Sequence, residues 1–153
     1  MAPKNTHDRI FYESNRLRDA SIISLIADSG LRISEIRLLN FNNIDITKNQ
    51  ISINRRRQRG RDQYFGTLTK SIIDEYMSIE FGNESIGSPF FRTKGRNSNG
   101  TRITRRALEL IIEKYANAYG RSMITANRIR QTFVLNFLES SKISTGEIQS
   151  FSN

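Results

Sequence analysis

The sequence predicts an α+β fold: a mostly helical domain with a small three-stranded antiparallel sheet. Apolar residues recur at helical spacing over several stretches, alternate with polar residues over one stretch near position 50, and are separated by turn-forming clusters. The 153 residues suffice for one domain with its own core.

Residues 15–28 place Leu17, Ile22, Ile23, Leu25 and Ile26 at helix-like spacings, and Asp28-Ser29-Gly30 reads as a stop. A short helix follows over Ile33 to Leu39. Ile44, Ile46, Ile51 and Ile53 then alternate with polar residues around Lys48-Asn49-Gln50, which predicts a hairpin. A third strand is expected over Gln63 to Leu68 through Tyr64, Phe65 and Leu68, joined to the second by an arginine-rich turn with Gly60 near its tip. Helical spacing returns over 70–81 through Ile72, Ile73, Tyr76, Met77 and Phe81. Gly82 to Gly100, rich in Gly, Ser and Asn, reads as a long surface connection broken by Phe90-Phe91. Thr104 to Tyr119 is expected to be helical, as is a stretch beginning at the N-cap candidate Thr125. The last residues, Ser144 to Asn153, show only Ile148 and Phe151. No internal repeat or heptad pattern is present.

Composition closes off several chemistries. The chain has no cysteine and one histidine, His7, near its start. Disulfide scaffolds, Cys-ligated zinc, iron–sulfur clusters, a cysteine nucleophile and a pair of catalytic histidines are therefore excluded. No segment approaches the roughly 18 apolar residues of a membrane span, and the start lacks the apolar core of a secretory signal, so the cytoplasm is the expected compartment. The 24 Lys+Arg exceed the 15 Asp+Glu by nine. Such a balance on a folded domain points to an anionic polymer, nucleic acid first, through counterion release from phosphates, and a membrane surface second; the alternative is a basic surface that only aids solubility.

The basic residues are clustered. Arg55, Arg56, Arg57, Arg59 and Arg61 fall within seven residues around the expected hairpin turn. On a two-stranded ribbon they would meet phosphates or base edges; the alternative is a solvated turn whose charge aids solubility. Arg92, Lys94, Arg96, Arg102, Arg105 and Arg106 border the long connection, where phosphate contact and plain exposure are both open. In Ser29-Gly30-Leu31-Arg32-Ile33-Ser34-Glu35-Ile36, an arginine follows a glycine turn at a helix start, so its guanidinium and free backbone N–H groups suit a phosphate. The plainer reading makes Gly30 a helix cap and Arg32 a surface partner of Glu35. Farther on, Asn127 and Arg130 are three residues apart on an expected helix and share a face.

These pieces together resemble the catalytic domain of the tyrosine recombinases, the phage-integrase family. Gly-Leu-Arg-Ile-Ser-Glu-Ile looks like that family's first arginine box, and Asn127-Arg-Ile-Arg130-Gln-Thr-Phe like its second, His-x-x-Arg. The resemblance covers residues 15–153 and leaves 1–14 as a tail or linker. It implies an integrase catalytic-domain-like fold and a metal-free, cofactor-free transesterase in which a tyrosine attacks a DNA phosphate and holds the strand as a 3′-phosphotyrosine. Arg32 and Arg130 would clamp the non-bridging oxygens, and Glu35 would orient its neighbours. The implied partners are double-stranded DNA and, in a complete protein on DNA, further copies of the chain in a synaptic tetramer.

The sequence departs from the family pattern at several positions. Asn127 stands where the second box carries His or Lys, and an amide does not shuttle a proton near neutral pH. Gln131 stands where a histidine usually follows Arg130. The hairpin lysine has no lysine counterpart; Arg56 or Arg57 is in its approximate place, and arginine is a poor general acid. Arg57 completes the candidate catalytic set of Arg32, Asn127 and Arg130, with Glu35 and Gln131 behind them and Arg55, Arg56, Arg59 and Arg61 as DNA contacts. No Leu-Gly-His-like third box is present, and the tyrosines, at 12, 64, 76, 115 and 119, all precede Arg130. The expectation is a partial catalytic domain of a site-specific recombinase or integrase. The alternative is a degenerate DNA-binding module of the same fold, and a third reading, a basic RNA-binding domain, explains the charge but not the boxed arginines. Type IB topoisomerases share the broad chemistry, although the short first box looks more like the integrase branch.

Overall fold

The computed structural model describes residues 6–55, 58–81, 87–95 and 98–118. The helix expected from Thr125 and the stretch from Ser144 to Asn153 lie outside them, as do Arg56, Arg57, Arg96, Asn127, Arg130 and Gln131.

Among the described residues the order is α1 (Thr6–Ser29), α2 (Ile33–Leu38), a 3-10 turn (Phe41–Asn43), β1 (Ile44–Asp45), β2 (Gln50–Arg55), β3 (Gln58–Tyr64), α3 (Thr67–Glu80), β4 (Arg92–Gly95), β5 (Ser98–Arg102) and α4 (Arg105–Ala118). The α+β class holds, with β1-β2-β3 as the three-stranded antiparallel sheet and β4-β5 as a separate hairpin. No helix of the described residues is long and apolar enough to cross a membrane.

α1 begins at Thr6, nine residues before the apolar pattern that marks it, and packs along α3. Ser14, in the first half of α1, is buried and donates to Glu80 Oε2 at 2.6 Å. Helix α1 therefore continues into the stretch expected as a tail, and Ser14 ties that part of it to the end of α3.

The sheet differs from expectation in its third strand. β3 runs over Gln58–Tyr64 rather than 63–68, and Arg55 pairs with Gln58, leaving two residues between the strands. Tyr64 (61% exposed) and Leu68 (77%) are outward-facing, and Leu68 belongs to α3. Phe65 alone of that apolar trio is buried. Gly60 lies within β3 and not at the tip. Asn49, with φ 52°, makes the earlier turn, in which Asp45 Oδ1 accepts from the Thr47 hydroxyl and from the backbone N–H groups of Thr47 and Lys48.

The hairpin β4-β5 begins inside the stretch expected as a loop and runs two residues past its end, to Arg102. Its Gly, Ser and Asn content hid it, and Phe90 and Phe91, fully buried beside Tyr76 and Phe81, anchor its start. The fully buried part of the remaining core comes from Ile22, Leu25 and Ile26 of α1, Leu31, Ile36, Ile51, Ile73, Ile103 and Leu108.

Candidate nucleic-acid interface

Gly30 ends α1 at φ 68°, a left-handed position that L side chains resist. Ser29 Oγ closes the last turn onto the Leu25 carbonyl at 2.5 Å. The next residue, Leu31, is fully buried, and Arg32 follows in extended conformation, so adjacent side chains take opposite directions. Leu31 and Ile36 pin the turn to the core while Arg32 faces solvent. Among the described residues, no side-chain or backbone group bonds to the Arg32 guanidinium.

Glu35 does pair at this turn, but with different groups from those expected. Its Oε1 accepts from the backbone N–H of Arg32 at 2.9 Å and from Arg61 Nη2 at 2.8 Å. Two consequences follow. The Arg32 N–H is occupied, and α2 is only six residues long, so the helix end contributes little to anion binding. The Arg32 guanidinium is left uncommitted, and its planar fork of donors suits two oxygens of one phosphate.

Two more side chains hold the turn. Asp28 Oδ2 accepts from the Gly66 N–H at 2.6 Å and ties the end of α1 to the start of α3. Arg102 Nη1 donates to the carbonyls of Arg37 at 2.9 Å and Leu39 at 3.0 Å, and its Nη2 bonds to Asn40 Oδ1. Burial, and then the neighbouring Arg37, push the Arg102 guanidinium below the usual arginine range. Sequence reasoning left Arg102 undecided between phosphate contact and plain exposure and read Asp28 only as part of a stop. Nothing local in the sequence marks either as a tether, because their partners are 38 to 65 residues away.

The other basic residues divide in the same way. Arg92 lies 3.5 Å from Glu80 Oε1 and 4.8 Å from the Phe81 ring centroid, which makes it part of the packing. Arg105 and Arg106 are exposed and, among the described residues, pair with Glu109 on their own helix. Arg55 lies on β2 and Arg59 on β3. The structure thus brings together Arg32, Glu35 and Arg61; Arg57, Asn127, Arg130 and Gln131 lie outside the described residues.

The family model described as the phage integrase family matches residues 3–153. The chain is 28% identical over 124 residues to tyrosine recombinase XerC of Roseiflexus castenholzii, covering 80% of this chain and 40% of that protein. It is 26% identical over 145 residues to XerS of Streptococcus gordonii, covering 92% and 40%. The chain therefore spans about 40% of the length of these curated relatives. Among solved structures it resembles XerA recombinase, with TM-score 0.72 at 17% identity over 100% of this chain and 62% of that one. It also resembles the XerH site-specific recombinase bound to its difH substrate, with TM-score 0.64 at 17% identity over 100% and 48%.

Proposed function

Because the chain belongs to the phage integrase family, we propose that it is part of the catalytic domain of a site-specific tyrosine recombinase or integrase and grips duplex DNA through its phosphates. The observation that carries the reading is Arg32: an exposed guanidinium without a partner among the described residues, on a turn pinned by Leu31 and Ile36 and held by Glu35. A cation carried on a fixed turn, with its own side chain not committed to the protein, is suited to an anion whose charge grows during reaction. The domain division of the reading is a catalytic part from about residue 15 onward, with the first residues leading into it.

In this reading Arg32 and Arg130 clamp the two non-bridging oxygens of one phosphate. They lower the cost of the extra negative charge on the pentacovalent centre, and neither arginine gives up a proton. Asn127 donates a hydrogen bond to the same phosphate from the second box, and Gln131 stands beside it. Arg57 faces the departing 5′ oxygen as a fixed charge, since an arginine is a poor proton donor. Arg55, Arg56 and Arg59 add phosphate contacts along the ribbon. Strand exchange through a 3′-phosphotyrosine, and assembly of several copies on one DNA, are the activities of a complete recombinase in this reading.

Asn127, Gln131 and the missing hairpin lysine favour a second reading, a module that keeps the DNA grip and has lost the proton-transfer chemistry. Formation of a covalent protein–DNA adduct on a nicked duplex by a complete protein separates the two: an adduct supports the recombinase, and binding without one supports the module. Both readings share the partner, which is tested by comparing duplex DNA with structured RNA at matched salt. Preference for duplex DNA is expected; preference for RNA overturns both.

A further inference from the structure

One arginine of the basic ribbon has a geometry that does not suit a DNA contact. Arg61 stands opposite Ile53 across the β2-β3 ladder, and Gln63 stands opposite Ile51. Directly paired residues of an antiparallel ladder project to the same face. Ile51 and Ile53 are buried, so Arg61 and Gln63 share the core-side face, while Gly60, Asp62 and Tyr64 are exposed on the other. The Arg61 side chain is 26% exposed, its Nη2 lies 2.8 Å from Glu35 Oε1, whose side chain is 12% exposed, and its Nε is buried without a hydrogen-bond partner. A guanidinium about three-quarters buried, turned inward and paired has little left to offer a phosphate.

The same carboxylate oxygen that Arg61 holds accepts the backbone N–H of Arg32. Glu35 is thus a bridge with the sheet at one end and the Arg32 turn at the other. At the far end of α2, Arg102 grips the carbonyls of Arg37 and Leu39 from β5. The short helix that presents Arg32 is held at each end by an arginine from a different hairpin. A six-residue helix has little stability of its own, so its placement depends on such outside bonds.

We propose that Arg61 is a positioning residue for Arg32: acting through Glu35, it locks the arginine turn to the β2-β3 ribbon and makes no DNA contact itself. The inference rests on the proposed DNA grip only for its second test. The first needs no ligand. Amide hydrogen exchange is followed in the whole chain for the unaltered protein, Arg61→Gln and Arg61→Lys. Exchange at the Arg32 amide is expected to quicken several-fold in Arg61→Gln and to be largely restored in Arg61→Lys, with the α3 amides of Ile73 and Tyr76 unchanged. Equal exchange at Arg32 in all three proteins overturns the proposal, and so does a uniform rise at every amide, which marks general destabilisation.

The second test measures affinity for a duplex DNA against salt in Arg61→Gln, Arg32→Ala and the double variant. If Arg61 acts through Arg32, Arg61→Gln weakens binding alone but adds nothing to Arg32→Ala. If Arg61 touches a phosphate, the two losses add and the salt slope falls by about one further unit, which overturns the proposal. Failure of the unaltered chain to bind DNA at any salt would count against the proposed function, and the exchange experiment would then decide the role of Arg61.

Discussion

Replacing Tyr76 with Phe removes one oxygen from the centre of the fold. Tyr76 is fully buried on α3 among Phe81, Phe90 and Phe91, and its hydroxyl donates to the Phe90 carbonyl at 2.9 Å. Phe90 in turn donates its N–H to the Leu39 carbonyl at 2.9 Å, at the end of α2, so the bond belongs to the chain of contacts that seats the Arg32 helix. The ring is retained, and the cost is therefore the lost bond plus a buried carbonyl left unpaired, about 1–3 kcal/mol. For a chain of this size each kcal/mol lowers Tm by roughly 2–4 °C, giving a fall of about 2–12 °C by circular dichroism at pH 7.

The same variant carries a pH signature. Burial foremost, and then Glu80, push the Tyr76 phenol well above its ordinary value of 10.0. The folded protein then keeps a proton that the unfolded chain releases above about pH 10. Stability from the neutral phenol is complete below that pH and declines as pH rises beyond it. The phenylalanine variant lacks this decline, so the gap between the two proteins should narrow above about pH 10. An unchanged Tm at pH 7, or a gap that widens with alkali, refutes the assigned burial and bond.

Three other substitutions test the frame around the site. Gly30→Ala forces a Cβ into the left-handed region at φ 68° and should cost about 1–2 kcal/mol in urea unfolding. Ile51→Ala, at a fully buried position, should cost about 2–5 kcal/mol. Its neighbour Ser52, on the opposite sheet face and paired with Asp62, should tolerate alanine within about 0.5 kcal/mol. Reversal of the Ile51 and Ser52 effects would mean a strand register shifted by one residue, and with it an outward Arg61.

Helices α3 and α4, the strand around Ile51 and the Arg32 turn are legible in the sequence because each is written in local signals. Periodicity marks the helices, alternation marks the strand, and Gly30 marks the turn. What is not legible depends on distant partners. The sequence points to a third strand that starts too late, because Tyr64, Phe65 and Leu68 look like a buried alternation, whereas only Phe65 is inside. That shift hid the role of Arg61, whose inward direction follows only once it is paired with Ile53. β4-β5 is a strand pair of polar and glycine residues held by Phe90 and Phe91, and its composition reads as loop. The clustering of arginines overstated the free charge in the same way. Arg61, Arg92 and Arg102 form internal bonds, whereas Arg32, whose surface pairing with Glu35 is the plainer sequence reading, keeps a guanidinium that is exposed and without a partner among the described residues.

The proposed role of Arg32 as a phosphate ligand is tested by the affinity of the 153-residue chain for duplex DNA across a salt series, for the unaltered protein and Arg32→Ala. Log affinity is expected to fall linearly with log salt in the unaltered protein. Arg32→Ala should bind more weakly, with a slope shallower by about one unit and an unchanged Tm. Identical affinity and slope in the two proteins would mean that Arg32 holds no phosphate.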